Sequence, residues 1–255
     1  MKITSLKLWY VPLTSHEAYY MADGKTCDTV TSVIIALETD EGITGWGEVC
    51  PIPHYLPAYA GGVAPALQEM WPVLCGADPV GPEALLAKAN GWLVGHEYAK
   101  SALDIALWDI AGQAYNQPVW QLLGGAHRRQ VEPYATGFYR IHGQGEADRL
   151  AEEALMHAEN GFRYMKVKLG FGVSDDICVM QAIQKAIDPA EITLMVDSNH
   201  AYGRSEALYL GQALADMHLR WYEEPVAPED YEGYADLRRR LPMAIAGGEN
   251  EHSLY

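Results

Sequence analysis

The sequence predicts an α+β domain followed by a (β/α)-barrel. Strand-like alternation before residue 50 gives way to helical periodicity between 63 and 115, which makes the α+β part. From about residue 130 short apolar runs alternate with amphipathic stretches, the order of a parallel sheet with helices outside. Charged residues end the later strands at near-even intervals.

In chain order, residues 2–13 and 29–38 (TVTSVIIALE) read as strands. Asp40-Glu41-Gly42 supplies a turn into a third strand at 43–49, completing a small antiparallel meander. The polar segment 14–28, with Tyr19, Tyr20 and Gly24, has no clear period and is expected to be a loop that closes over a ligand. A second loop, 51–62, is rich in Pro, Tyr and Gly, and helices are expected over 63–74, 82–93 and 98–115.

The second part runs VEPYATGF, GEADRLAEEALMHAENG, RYMKVKLG, SDDICVMQAIQKAI, ITLMVDSN, SEALYLGQALADM, RWYEEP, DYEGYADLRRRL and MAIAGGE. Lys168, Asp197, Glu223 and Glu249 stand at its strand ends, separated by 29, 26 and 26 residues, about one βα unit each. In a barrel such residues meet at one mouth. A doubly wound sheet would spread them along a crevice and favour a GxGxxG turn, which is absent. The expected domains are 1–125, a capping domain, and 126–255, a barrel domain. Five strands precede Tyr255. An open set of five leaves bare edges, so an incomplete barrel is expected, with roughly three βα units in a longer polypeptide.

A formal charge of −16 and the lack of any basic stretch argue against nucleic acid as a partner. With 49% apolar and 20% charged residues, the composition is that of an ordinary globular protein. Cys27, Cys50, Cys75 and Cys178 are scattered and form no CxxC, which excludes a zinc or redox motif and suits a reduced, cytoplasmic protein. MKITSLKLWYVPL alternates like a strand rather than a signal peptide, and no apolar run reaches the ~18 residues of a membrane span.

Lys166 and Lys168 lie two apart on one strand and therefore share a face. Two ammonium groups held together are expected to depress each other's pKa, so that one serves as a general base. KxK alone is equally compatible with two surface lysines. Asp197, Glu223 and Glu249 on adjacent strands would repel one another unless a cation lay between them. Oxygen-only ligands suit a hard ion such as Mg²⁺. Any one of the acids could instead cap a helix; three at even spacing after apolar strands point to the cation. Glu224 is expected to point away as a structural residue, and Asn199 to face the Asp197 side, where it could orient a ligand or water.

YMKVKLG, MVDSN, WYEEP and AGGEN together resemble the barrel signature of the mandelate racemase/muconate lactonizing branch of the enolase superfamily. GITGWGEVCP and YAKSALDIALWDIAGQAYNQPVWQLLGG look like that family's capping domain. The resemblance implies a TIM-type, modified (β/α)7β barrel. It also implies Mg²⁺ held by Asp197, Glu223 and Glu249, Lys168 as base, and Lys166 contacting the substrate carboxylate or tuning its partner. Glu249 within GEN is similar to the mandelate racemase-like subgroup, whose His–Asp dyad would lie on later strands.

The implied reaction removes the α-proton of a carboxylate to give a stabilised enediolate. Dehydration of a sugar acid comes first, and racemisation or epimerisation of a hydroxy or amino acid second. Tyr19, Tyr20, His54, Tyr55 and Tyr59 are candidates for selecting the substrate side chain, with ordinary packing as their other reading. A small-molecule carboxylate and a homo-oligomer are the expected partners. Two rivals stay open: a metal-independent glycoside hydrolase using Glu223 and Glu249, and an inactive barrel-derived binding protein.

Overall fold

The computed structural model describes residues 1–24, 26–53 and 55–252, without the side chains of Tyr19, Asp23 and Cys27. The chain divides into two units, Met1–Ser15 with Thr29–Gln130, and His16–Asp28 with Val131–Tyr255. The break at 130/131 lies five residues beyond the expected boundary, and the second unit takes in residues from the N-terminal part of the chain.

Outside residues 16–28, the first unit carries a sheet in the order β1 (Ile3–Tyr20), β2 (Thr26–Thr39), β3 (Thr44–Val49). Strands β2 and β3 pair antiparallel, with Val33 opposite Val49 and Glu38 opposite Thr44. Side chains across β1 and β2 run the same way. Ser5 and Lys7 both reach Glu38, and Thr14 and Thr29 hydroxyls stand 3.4 Å apart nearer the turn. Helices α1 (Val63–Leu74), α2 (Pro82–Trp92), α3 (Glu97–Tyr115) and the short α4 (Val119–Leu122) follow.

The stripe Ala99, Ala102, Leu103, Ala106, Leu107 and Ile110 of α3 is buried at helical spacing, with Val33, Ile35 and Leu37 of β2 in the same core. Burying each large aliphatic side chain contributes about 1.5–3 kcal/mol. Gly45 and Gly47 let the helix lie directly on β3: a Cβ at Gly47 would overlap Ala102 O, and one at Gly45 Ala106 O.

Segment 14–28 is not an aperiodic loop. It is the end of a β1–β2 hairpin, turned by a 3₁₀ turn at Ala22–Gly24. Residues 12–18 are exposed, so the ribbon buries neither face and shows no apolar alternation to read.

The second unit holds a parallel sheet in the order β4 (Tyr164–Lys168), β5 (Thr193–Asp197), β6 (Trp221–Glu223), β7 (Ala244–Ala246). Its helices are α5 (Ala147–Glu159), α6 (Val173–Ala186), α7 (Arg204–Ala213) and α8 (Tyr231–Arg240). Met165, Val167, Leu194, Val196 and Tyr222 are buried in one core with Leu150, Val179, Ile183, Leu210 and Leu237 from the helices. The register sets Lys168 opposite Asp197, Asp197 opposite Glu223, and Glu223 opposite Ala246, so one row crosses the C-terminal edge of all four strands.

The strand expected at 131–138 is reduced to a single parallel bridge, Ala135 to Met165, with Ala135 N donating to Tyr164 O at 2.9 Å. Pro133 has no N–H to offer, and Phe138 turns left-handed (φ 34°) with its N–H taken by Glu153 Oε1 at 2.6 Å. Among the described residues no helix is long and apolar enough to cross a membrane. Cys75 and Cys178 are free thiols.

The glycine contacts give a paired test. Gly47→Ala should lower stability in urea unfolding by about 1–3 kcal/mol through overpacking. Gly91→Ala, in α2 with open space around it, should raise stability by about 0.4–1 kcal/mol. A neutral Gly47→Ala would show that α3 and β3 are not in close contact.

Candidate active site

The row at the sheet's C-terminal edge gathers opposite charges. Lys168 Nζ donates to Asp197 Oδ2 at 2.7 Å and to Asn199 Oδ1 at 3.1 Å. Lys166 Nζ donates to both oxygens of Glu223, at 2.9 and 3.0 Å, and lies 3.3 Å from Asp197 Oδ2. Both ammonium groups therefore meet Asp197, which is fully buried. Asn199 Nδ2 donates on to Glu249 Oε1 at 3.1 Å, and Asn199 N to Asp197 Oδ1 at 2.9 Å.

Lys166, Lys168, Asp197, Asn199, Glu223 and Glu249 thus form one hydrogen-bonded network. Glu249 enters it from a turn three residues beyond β7 rather than from the strand itself. Glu224 turns away into the protein, 1% exposed, and accepts from Gly248 N at 3.1 Å.

The Lys166 pKa is not depressed. Burial works to lower the Lys166 pKa, but the hydrogen bonds to Glu223 and the charges of Asp197 and Glu223 outweigh it and hold the group above the ordinary lysine value. The expectation from KxK counted the like charge and missed the carboxylates of Asp197 and Glu223 that meet Lys166.

The sequence reading also missed two aromatic residues. Trp221 Nε1 donates to Glu223 Oε2 at 3.0 Å, and the Tyr134 ring lies 5.7 Å from Lys166 Nζ, edge-on to Trp221. Trp221 stands two before Glu223 on its strand, so the alternation that paired the lysines could have found it. Tyr134 follows a proline in the segment that forms only a bridge, and strand-end counting does not reach it.

Asn199, His200 and Glu224 have left-handed backbones, φ 42°, 53° and 44°. Non-glycine residues seldom adopt this region, and such residues gather at functional sites. Tyr20 belongs to the same unit as the site, with its N–H on Arg140 O at 2.7 Å. Tyr55, in a turn closed by its N–H on Ile52 O, and Tyr59 belong to the first unit. His54 and the side chain of Tyr19 lie outside the described residues.

Among the described residues no three His, Cys, Asp or Glu side chains converge as a ready ligand set. A positive group nevertheless already bridges two of the three acids, since Lys166 Nζ sits within 3.3 Å of Asp197 and Glu223 alike. The donors are oxygens only, and a hard divalent cation addresses the same atoms. In that sense the residues fit Mg²⁺.

Two family models match the chain. Mandelate racemase / muconate lactonizing enzyme, N-terminal domain, covers residues 4–124, and enolase C-terminal domain-like covers 149–255. The chain belongs to this family. It is 37% identical to D-galactarolactone cycloisomerase of Agrobacterium fabrum over 241 residues, 89% of this chain and 60% of that protein. It is 34% identical to cis-3-hydroxy-L-proline dehydratase of Roseibium aggregatum, over 96% of this chain and 65% of that one. The solved dipeptide epimerase of Enterococcus faecalis, complexed with Mg and the dipeptide L-Leu-L-Tyr, superposes with a TM-score of 0.87 at 29% identity, covering 97% of this chain and 68% of that one. The family fold, a capping domain with a TIM barrel, is therefore the frame in which these two units belong. The chain spans about two thirds of the length of these relatives.

The Lys166 pair yields a pH test. A pKa raised on folding contributes stability fully below the ordinary lysine range, and this is lost only as pH rises through the raised value. In metal-free buffer Lys166→Met should therefore destabilise the protein equally at pH 6 and 8. Losing one partner of a buried pair costs 3–5 kcal/mol, so roughly 1–3 kcal/mol is expected for this partly solvated one. Urea unfolding of the variant at wild-type midpoint would remove the ion pair as a structural element.

Proposed function

We propose that this chain carries the metal- and base-bearing part of a site that removes the α-proton of a small carboxylate. Asp197, Glu223 and Glu249 would hold Mg²⁺, and Lys168 would be the base. The observation that carries this reading is the network of two lysines and two acids at the ends of successive parallel strands, joined by Glu249 from the turn after β7. Bound there, Mg²⁺ would supply Lewis-acid stabilisation of the negative charge that builds on the substrate carboxylate.

The hydrogen bonds divide the lysines' work. Lys168 Nζ has two acceptors, Asp197 Oδ2 and Asn199 Oδ1. A neutral amine has two N–H bonds, so these acceptors can take both and leave its lone pair free to accept a proton. Lys166 Nζ faces three carboxylate oxygens, which together call for an ammonium. It would stay charged and face the substrate carboxylate. Trp221 holds Glu223 in place from the other side. Residues 1–125 would serve as the capping domain, and 126–255 as part of the barrel.

Of the possible outcomes we favour loss of a β-hydroxyl from a sugar acid or similar hydroxy acid. It is supported by similarity to a hydroxyproline dehydratase. Epimerisation is the second reading, on the strength of the structural match to a dipeptide epimerase. A glycoside hydrolase would need Glu223 or Glu249 to give up a proton. A proton on Glu223 would compete with Lys166 for both its oxygens.

In D₂O, the whole protein with Mg²⁺ should exchange the α-proton of its acid substrate, found by screening sugar, hydroxy and amino acids by NMR. Lys168→Ala should slow that exchange by at least ~10²-fold. Retained exchange would remove Lys168 as base. EDTA should abolish turnover, and Glu223→Gln should weaken Mg²⁺ binding by calorimetry on the order of tenfold or more. Activity that survives EDTA would favour the glycosidase reading.

A further inference from the structure

Three segments that carry or flank the site converge on one buried guanidinium. Arg140 is fully buried, with Nη1 donating to Asp175 Oδ2 at 2.7 Å and Nη2 to Asp176 Oδ1 at 3.0 Å. Its guanidinium lies 4.8 Å from the centre of the Phe171 ring. Asp176, also fully buried, accepts Gly170 N at 2.7 Å and the Tyr202 hydroxyl on its other oxygen. That hydroxyl in turn accepts Gly172 N at 3.1 Å. Gly170 stands two residues after Lys168, and Tyr202 three after Asn199. The carbonyl of Arg140 accepts Tyr20 N, which fastens the hairpin tip to the same point.

Packing closes the arrangement. A Cβ at Gly170 (φ 101°) would stand 2.9 Å from Ser198 O, 3.0 Å from Ala201 Cβ and 3.1 Å from Ala22 Cβ, so the β4–α6 loop is wedged between the β5–α7 loop and the hairpin tip. Arg140 itself is presented by further polar contacts: Arg149 donates to Tyr139 O, and Glu153 holds Phe138 N.

A buried ion pair adds little net stability, and an apolar residue of like volume often serves the fold as well. Among the described residues Arg140 Nε even lacks a partner. A forked guanidinium offers direction instead, since its N–H bonds fix two carboxylates at set angles.

We propose that Arg140, Asp176 and Tyr202 are positioning residues. They set the β4–α6 and β5–α7 loops, and through them Lys168 and Asn199, while tying the hairpin tip to the same frame. Only the kinetic part of the test below rests on Lys168 acting as base.

The test compares Tyr202→Phe, which keeps the ring and deletes the hydroxyl, with Arg140→Met. Hydrogen exchange by mass spectrometry on the metal-free whole protein should show amides of 16–24, 169–172 and 198–203 exchanging on the order of tenfold faster in both variants, with β4 to β7 unchanged. Uniform acceleration across the second unit would mean that the cluster only stabilises, and no acceleration would mean that it holds nothing. Either result overturns the proposal. In the α-proton exchange assay, kcat should fall by roughly 10- to 10²-fold with KM within about twofold, because misplacing a base costs rate more than binding. Arg140→Lys should not restore it, since an ammonium lacks the planar fork whose separate nitrogens each meet one acid. A KM effect alone, or rescue by lysine, would also overturn the proposal. If the wild type exchanges no acid while the three segments still loosen together, the proposed function fails and the positioning cluster stands.

Discussion

Charge balance along one row of strand ends is the constraint on which the second unit depends. Parallel pairing places Asp197 beside Glu223, on the same face and one strand spacing apart. Two like charges about 4 Å apart repel by about 4 kcal/mol at an effective dielectric of 20. The sheet tolerates this because β4 contributes two lysines on the same face, and each ammonium is within 3.3 Å of Asp197. The interaction that permits the strands to pair in this register is thus also the one that assembles the site. A divalent cation at Asp197 and Glu223 would address the oxygens that Lys166 holds, so metal affinity and the environment of Lys166 would be thermodynamically linked.

Much of this was legible in the sequence because it rests on short periods. The two-residue repeat put Lys166 with Lys168. The βα rhythm put Asp197 and Glu223 one strand apart, and the register pairs Lys168 with Asp197 and Asp197 with Glu223. Helical spacing located α1 and α3 to within a residue at either end. The hairpin tip was illegible for the opposite reason. Its residues are exposed and polar, and a strand that buries neither face leaves no alternation. The same holds for the missing first barrel strand, where apolar content suggested an extended run but Pro133 and the left-handed Phe138 leave one bridge.

What periodicity cannot give is partnership between distant polar groups. Arg140 follows a strand-like segment, and Asp176 opens a helix where an acid is ordinary N-terminal chemistry. Neither looks unusual alone. Burial makes them informative, because a guanidinium and a carboxylate with no solvent must answer to each other. The charge state of Lys166 was missed on similar grounds, since KxK displays the repulsion and hides the acids that arrive 31 and 57 residues later.

The difference between the two lysines then follows from position along one strand. Lys168, at the end of β4, has one carboxylate and one amide as acceptors. Lys166, one step inward on the same face, is clasped by both oxygens of Glu223 and approached by Asp197. Lys166 thus has a second carboxylate where Lys168 has an amide. A single strand can therefore present two amines in different surroundings, both within 3.3 Å of the same Asp197 oxygen. Chemistry that needs one group to attract a carboxylate and another to take the neighbouring proton requires such a pair, and the alternation of a β-strand supplies it without any special backbone.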